Sequence, residues 1–460
     1  GGLIYLVCVT GTLDVFVSEL RAWEQPRPVP QLDVRFIDTA LAAGARLAPR
    51  GASIYLMLPR MEAGGARLEV YGGGRETDYS LGTDGHVIGE LRTPFTDFLD
   101  RTHMYLCLPQ TVGTFLVGLI GVALLSLLLS GLLAHPRIFR DAFTLRWGGS
   151  KRLQEADLHN RLSVWGLPFH LAVTLTGAFF GLTNALLLAV ALIAHNGGPG
   201  RITGLLDGPS PAHDERPAPL PPVSSMLARL HVSRDLLRIN YIGVQDLGVR
   251  GAAVTFELAV PDQLIRGERY VFDGAGRYLG PAGYASGPVG KQAYAAAAAL
   301  HFGAFGGLAV RLAYGILGFA LCVVCAGGVS IWTARRRDQG RPVPRIERLW
   351  LGTVWGVLVA LSAAATTALA TSLPPVPVFW SVFLLTTSLA VARRDARSAS
   401  RLCRALLAAG LALVAILHTA KFWTSMHPGA AVIDGLGLLA AVRLTASLFP
   451  GVAVIRTDAS

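Results

Sequence analysis

The sequence predicts a polytopic α-helical membrane protein: a four-helix core, about four extra C-terminal helices, and two small α+β modules outside the bilayer. Three observations support this. The chain of 460 residues is 52% hydrophobic and only 15% charged, with a mean hydropathy of +0.47, too apolar for an ordinary soluble domain. Its apolar residues are gathered in blocks of about 20, the length a helix needs to cross ~30 Å of hydrocarbon. Two long polar segments interrupt the blocks, and the sequence of one echoes the other.

The elements follow in order. Residues 1–20 begin inside an apolar run and turn polar at Ser18 and Glu19, so they read as a first helix lacking its beginning. The run has no basic n-region and no small-residue cleavage site, unlike a signal peptide. Segment 21–102 holds a helix-like "DVRFIDTALAAGARL", strand-like "SIYLMLP" and "ARLEVYG", and then "YSLGTDGHVIGE", a strand, glycine turn and short strand. Residues 103–135 form the second span, 136–160 a basic loop and 161–195 the third span. The second polar segment, 196–300, opens Pro/Gly-rich and continues through "SSMLARL", "LLRINYIG", "AAVTFELAV" and "YVFDGAGRYLGP". A fourth span occupies 301–333, a second basic loop 334–348, and the region 349–460 has room for about four more helices. The last of these is interrupted by Asp434 and Arg443.

Net charge is +11, but its distribution excludes a polyanionic partner such as nucleic acid. Arg137, Arg140, Arg146, Lys151 and Arg152 follow the second span; Arg335, Arg336, Arg337, Arg341, Arg345 and Arg348 follow the fourth; Arg393, Arg394, Arg397, Arg401 and Arg404 form a third cluster. With alternating spans all three clusters fall on one side, which the positive-inside rule makes cytoplasmic. The polar segments then face outward. None of the five cysteines lies in them, and "CVVC" at 322–325 sits in a span, where small residues serve helix packing.

The duplication has register. "YSLGTDGHVIGE" (79–90) aligns without a gap on "YVFDGAGRYLGP" (270–281). "GLIGVALLSLLLSG" (118–131) matches "GILGFALCVVCAGG" (315–328), and "LVCVTG" (6–11) matches "AVTLTG" (172–177). His103 and His301 stand at corresponding places before the second and fourth spans, at their external ends. His159 precedes the third span at the cytoplasmic end, and its counterpart is expected about seven residues before Gly1. Imidazoles from sister helices are the usual grip of a helix bundle on haem iron. Without CxxCH the cofactor would be non-covalent haem b, two per full-length chain, with both axial positions filled and electron transfer as its use. His170, eleven residues past His159, would lie ~16 Å further along the same face of an unbroken helix, as a ligand or flank of the second haem. His195, His418 and His427 have no repeat argument; His135 reads as a helix terminus, and His86, His213 and His231 as solvent-facing.

"RTHMYLCLP…GLIGVALLSLLLSG", "DLHNRLSVWGLPFHLAVTLTGA", "YVFDGAGRYLG" and "LHFGAFGGLAVRLAYGILG" resemble the PepSY-associated transmembrane family, over about residues 1–335. That family includes PiuB-like iron-regulated proteins and ferric-siderophore reductases of bacterial inner membranes. The resemblance implies periplasmic PepSY modules, haem ligation by His103, His159 and His301, and reduction of siderophore-held Fe(III). No dinucleotide fingerprint is present, so the electron donor would be a flavin, a quinol or a reductase protein. Two other readings are a PepSY-type binding or regulatory membrane protein without redox activity, and a transporter built on the repeat.

Overall fold

The computed structural model describes residues 1–134, 151–193, 208–221, 223–231 and 235–449. Its helices are α1 (Gly2–Asp14), α2 (Val17–Glu24), α3 (Val34–Leu47), α4 (Pro94–Tyr105), α5 (Gln110–Ala134), α6 (Lys151–Trp165), α7 (Leu167–Ile193), α8 (Val223–Arg229), α9 (Val289–Phe302), α10 (Gly307–Asp338), α11 (Pro344–Ala370), α12 (Pro375–Ala392), α13 (Ala396–Phe422) and α14 (Pro428–Ala446). The strands are β1 (Ser53–Met57), β2 (Arg67–Gly72), β3 (Arg75–Leu81), β4 (Val87–Glu90), β5 (Ile239–Gln245), β6 (Ala253–Leu258), β7 (Glu268–Asp273) and β8 (Tyr278–Pro281). They form two compact units, one of Gly1–Val15, Thr93–Gly181 and Ala313–Ser460, the other of Phe16–Arg92 and Leu182–Leu312.

In the helical unit, α5, α10, α11, α12, α13 and α14 are each long and apolar enough to cross a membrane. Two further spans count if bent pairs are single crossings: α1 with α2, bent by 72°, and α6 with α7, bent by 69°. The second bend corrects the unbroken helix expected through His159 and His170. Pro168 brings no N–H to the ladder, and Gly166 marks the break. The imidazole of His170 then fills the space beside Gly166: a Cβ at 166 would lie 2.4 Å from its Cε1. The 3.6-residue pattern runs through this point undisturbed and so conceals it.

The sequence repeat reappears as repeated packing. Sliding the matched segments over each other pairs Thr12 with Ala178 and Gly121 with Gly318. Gly121 of α5 lies against Ala178 of α7, where a Cβ would come 3.0 Å from the Ala178 nitrogen. Gly318 of α10 lies against Thr12 of α1, where a Cβ would come 2.7 Å from the hydroxyl. The two helix crossings are thus equivalent, and glycine permits both. One turn from the first crossing, a Cβ at Gly181 would sit 2.4 Å from the Gly118 Cα. Gly181→Leu should therefore force α5 and α7 apart at a cost of about 1–3 kcal/mol, read as a lowered melting temperature in detergent. Gly131→Leu is the control, since a Cβ there meets nothing within 4 Å.

The four C-terminal helices expected from the sequence are α11 to α14. They are fastened to the core by the Trp350 indole, which donates to the Ala326 carbonyl of α10 at 2.9 Å, and by Phe379, whose ring lies 5.3 Å from that of Phe98 on α4.

In the other unit the structure departs from two separate modules. All eight strands form one antiparallel sheet, β4-β3-β2-β1-β5-β6-β7-β8. The join is β1 to β5, with Leu56 opposite Ile242, and the halves run outward from it in the same order. The duplicated hairpins keep register to the residue: Tyr79 faces Glu90 and Tyr270 faces Pro281, and each has an irregularity one pair further on. One sheet face is apolar. Ile54, Leu56, Leu68, Val254, Phe256 and Phe272 pack there with Phe36 and Leu41 of α3 and Met226 and Leu227 of α8. Alternation sends Tyr55, Arg67, Glu69, Tyr241, Glu257 and Arg269 to the other face. There Tyr55 and Tyr241 meet edge-on at 6.0 Å, and the Arg269 guanidinium lies over the Tyr241 ring at 5.9 Å.

Candidate functional site

His103 lies on the short α4, ahead of α5. Pro94 starts α4 and Leu106, with φ 56°, ends it, while Phe95, Phe98, Leu99 and Thr102 hold its buried face. The ring is directed onto α1. Nδ1 donates to the Val7 carbonyl at 3.1 Å, and a Cβ at Gly11 would lie 2.4 Å from Cε1. Donation through Nδ1 leaves the lone pair on Nε2, the arrangement in which a second-shell carbonyl orients a metal-ligating imidazole.

His159 on α6 faces α10. Its Nδ1 lies 3.3 Å from where a Cβ of Gly327 would stand, Gly328 is next to it, and the Val324 carbonyl is beside the ring. That Nδ1 is buried and makes no hydrogen bond. His170 is wholly buried and, among the described residues, neither ring nitrogen makes a hydrogen bond of normal geometry, although the Leu317 backbone of α10 lies near enough to act on the ring. Three imidazoles of the helical unit therefore sit in cradles of glycine, at Gly11, Gly327 and Gly166. An unpaired buried donor or acceptor costs about 1–3 kcal/mol, so two on one ring call for a partner.

His301 belongs to the other unit. It stands near the end of α9, which Gly303 closes with φ 63°, and its ring meets Phe302 edge-on at 5.2 Å. As α4 does for His103, a separate short helix carries His301 ahead of the span.

The remaining histidines divide. His86 pairs with Asp84 at 2.9 Å and His213 with Glu215 at 3.4 Å, both on the surface, and His231 is exposed. His427 caps α14 by accepting from the Ala430 N–H. His135 and His195 lie outside the described residues. His418, which has no repeat argument, is fully buried, with Nδ1 2.7 Å from Asp434 of α14, which also accepts from the Thr419 hydroxyl. The available signal was two ionisable residues in consecutive apolar runs. "CVVC" is a packing feature, as expected: Cys322 meets the Thr12 hydroxyl at 3.6 Å and Cys325 meets Cys8 at 3.9 Å, both across to α1.

In the sheet unit, each half buries a carboxylate beneath guanidiniums. Glu62 is within 3.4 Å of Arg21, 3.2 Å of Arg27 and 2.9 Å of Arg67. Burial acts to raise its pKa, but Arg67, Arg21 and Arg27 outweigh it and hold the carboxyl below its ordinary value. Glu257 behaves alike: burial raises, while Arg266, Arg269 and the Asn240 amide lower, and the balance is again downward. Both are ionised structural anchors.

With this geometry in view, comparison with known proteins is decisive on kinship. The PepSY-associated TM region matches residues 1–335. The chain belongs to the PepSY-associated TM family. The match includes both polar segments and the paired crossings, and it ends within α10, so α11 to α14 lie beyond the family region. The PepSY-associated chain is also similar to "Uncharacterized protein PA4219" of Pseudomonas aeruginosa, 31% identical over 271 residues. That alignment covers 54% of this chain, and the chain spans 66% of the relative's length.

Proposed function

We propose that this PepSY-associated protein is an inner-membrane di-haem electron-transfer protein that reduces periplasmic ferric siderophores and so releases Fe(II). The observation that supports it is the set of glycine-cradled, buried imidazoles, above all His170, whose ring nitrogens make no hydrogen bond among the described residues. Within the helical unit His103, His159 and His170 offer imidazoles suited to haem, His103 and His159 as ligands and His170 as ligand or flank; His301 is the ligand that the family resemblance adds. When bound, haem supplies a one-electron carrier within hydrocarbon. The protein's own residues orient it: the Val7 carbonyl fixes the His103 tautomer, and Gly11 and Gly166 leave room for rings close to the helix backbone. The three arginine clusters face the cytoplasm and the sheet unit faces the periplasm. Siderophore oxygens favour hard Fe(III), and reduction to softer Fe(II) weakens their hold.

The test is the absorption spectrum of full-length protein purified from haem-replete cells. A Soret band with bis-imidazole character and a haem-to-chain ratio of two are expected. A folded but colourless preparation would leave the PepSY-type binding or regulatory role and remove the reductase.

A further inference from the structure

We infer that the arginine-rich end of the helical unit holds a binding site for a phosphate-bearing anion, and that its occupant is a phosphorylated flavin. A cavity of about 690 Å³ opens there, within the size range of small-molecule sites. Arg397, Arg401 and Arg404 of α13 line it, and their spacing of four and three residues places them on one helix face. Arg404 is fixed by donating to the Ser447 backbone oxygen at 3.2 Å and to its hydroxyl at 2.8 Å. Arg337, also in the lining, is paired with Glu347 at 3.2 Å. Arg397 and Arg401 are exposed, and among the described residues no hydrogen bond or ion pair engages their side chains. Two guanidiniums with all their donors available, one turn apart, suit a phosphate monoester dianion.

Trp350 also lines the cavity; the residue is 9% exposed and its indole N–H is already held by Ala326. Arginines for a phosphate, in a cavity of this volume beside the helix that carries His159, favour a flavin phosphate over phosphate alone. Carboxylates of Glu155, Asp338 and Glu347 line it too, so the arginine face of α13 is where a dianion would be accepted.

Its position gives the site a use. Glu155 stands one turn from His159 on α6, and Ser330 stands one turn from Gly327, against which the His159 ring packs. The cavity therefore begins about one helical pitch, ~5.4 Å, from that imidazole. A reduced flavin there would give up two electrons singly and release two protons to the aqueous side; two ferric ions would each take one electron, becoming ferrous. The flavin's role as donor rests on the electron-transfer reading, whereas the phosphate site does not.

The experiment is equilibrium dialysis of the full-length protein, in nanodiscs of neutral phosphatidylcholine, against flavin mononucleotide and against riboflavin, which lacks the phosphate. Flavin mononucleotide should bind about tenfold or more tightly than riboflavin. The double variant Arg397→Gln/Arg401→Gln should lose that preference while keeping the melting temperature and the weaker riboflavin binding. Equal affinity for the two flavins, or an unchanged preference in the variant, would overturn the site. Displacement of the nucleotide by phosphatidylglycerol in the bilayer would assign the arginines to a lipid headgroup and overturn the flavin occupant. Haem content is read on the same sample: haem-free protein that binds the nucleotide sinks the reductase and leaves the site, and haem-loaded protein that ignores it sinks the site alone.

Discussion

Glu62→Gln is expected to cost the sheet unit about 3–5 kcal/mol, the range seen when one partner of a buried ion pair is removed. The side chain of Glu62 is 4% exposed and those of its partners Arg21, Arg27 and Arg67 are 10%, 0% and 8% exposed. An amide would hold the volume but, among the described residues, remove the one charge bonded to Arg27, whose Nε and Nη1 have no partner there. Arg67 would keep Glu69 and Asp78, so the loss falls chiefly on Arg27 and Arg21. Glu257→Gln should cost less, because Arg266 and Arg269 are 37% and 27% exposed and can turn to water. The sign with pH follows from the lowered carboxyl of Glu62. Its contribution is complete above the unfolded value, about 4.3, and is lost as pH falls through the lower folded value. The gap between wild type and Glu62→Gln should therefore be constant at neutral pH and close on acidification below about pH 4. Thermal melting of the whole protein, with hydrogen exchange followed at β1 and β2, reads both. An equal cost for the two glutamines would show that burial of the arginines does not govern the effect.

The same chain shows what sequence reveals and what it withholds. The hairpin repeat was legible because a turn needs glycine: Gly85 and Gly276, both with φ near +85°, stand at matched positions and fix the strands on either side. The helix repeat was legible for a related reason, since Gly121 and Gly318 mark places where another backbone comes close. The β1–β5 pairing was not legible. A strand edge is made of backbone N–H and C=O groups, and nothing in "SIYLM" or "INYIGVQ" labels which edge joins which. The bend at Gly166 was hidden because apolar spacing continues across it, although Gly166 and Pro168 together were a cue. His418 and Asp434 were each visible as ionisable residues in apolar runs, but their pairing across α13 and α14 is a property of packing, not of local sequence. His103, His159 and His301 were legible from repeat position and His170 from its spacing beyond His159; what the fold adds is the glycine beside the rings of His103, His159 and His170.

That addition makes His170 the most informative substitution in the helical unit. If His170 were only a core residue, its wholly buried ring with unpaired nitrogens would be a liability. His170→Leu, of similar reach and without polar atoms, would then be neutral or stabilising, because replacing an unsatisfied polar group by an apolar one removes a desolvation penalty. If His170 ligates haem, the same change removes an axial nitrogen, and the haem-to-chain ratio should fall from two to one with loss of the corresponding bis-imidazole band. His103→Ala and His301→Ala should each lower the haem content too. His170→Leu combined with His103→Ala should then yield colourless protein. Haem content at two in every variant, with His170→Leu melting higher than wild type, would mean that the ring is core packing and that other residues hold the haems. The expected outcome is the opposite, a haem-to-chain ratio of one with little gain in stability, because a buried imidazole held against glycine at a helix bend is a costly way to fill space that leucine fills without penalty.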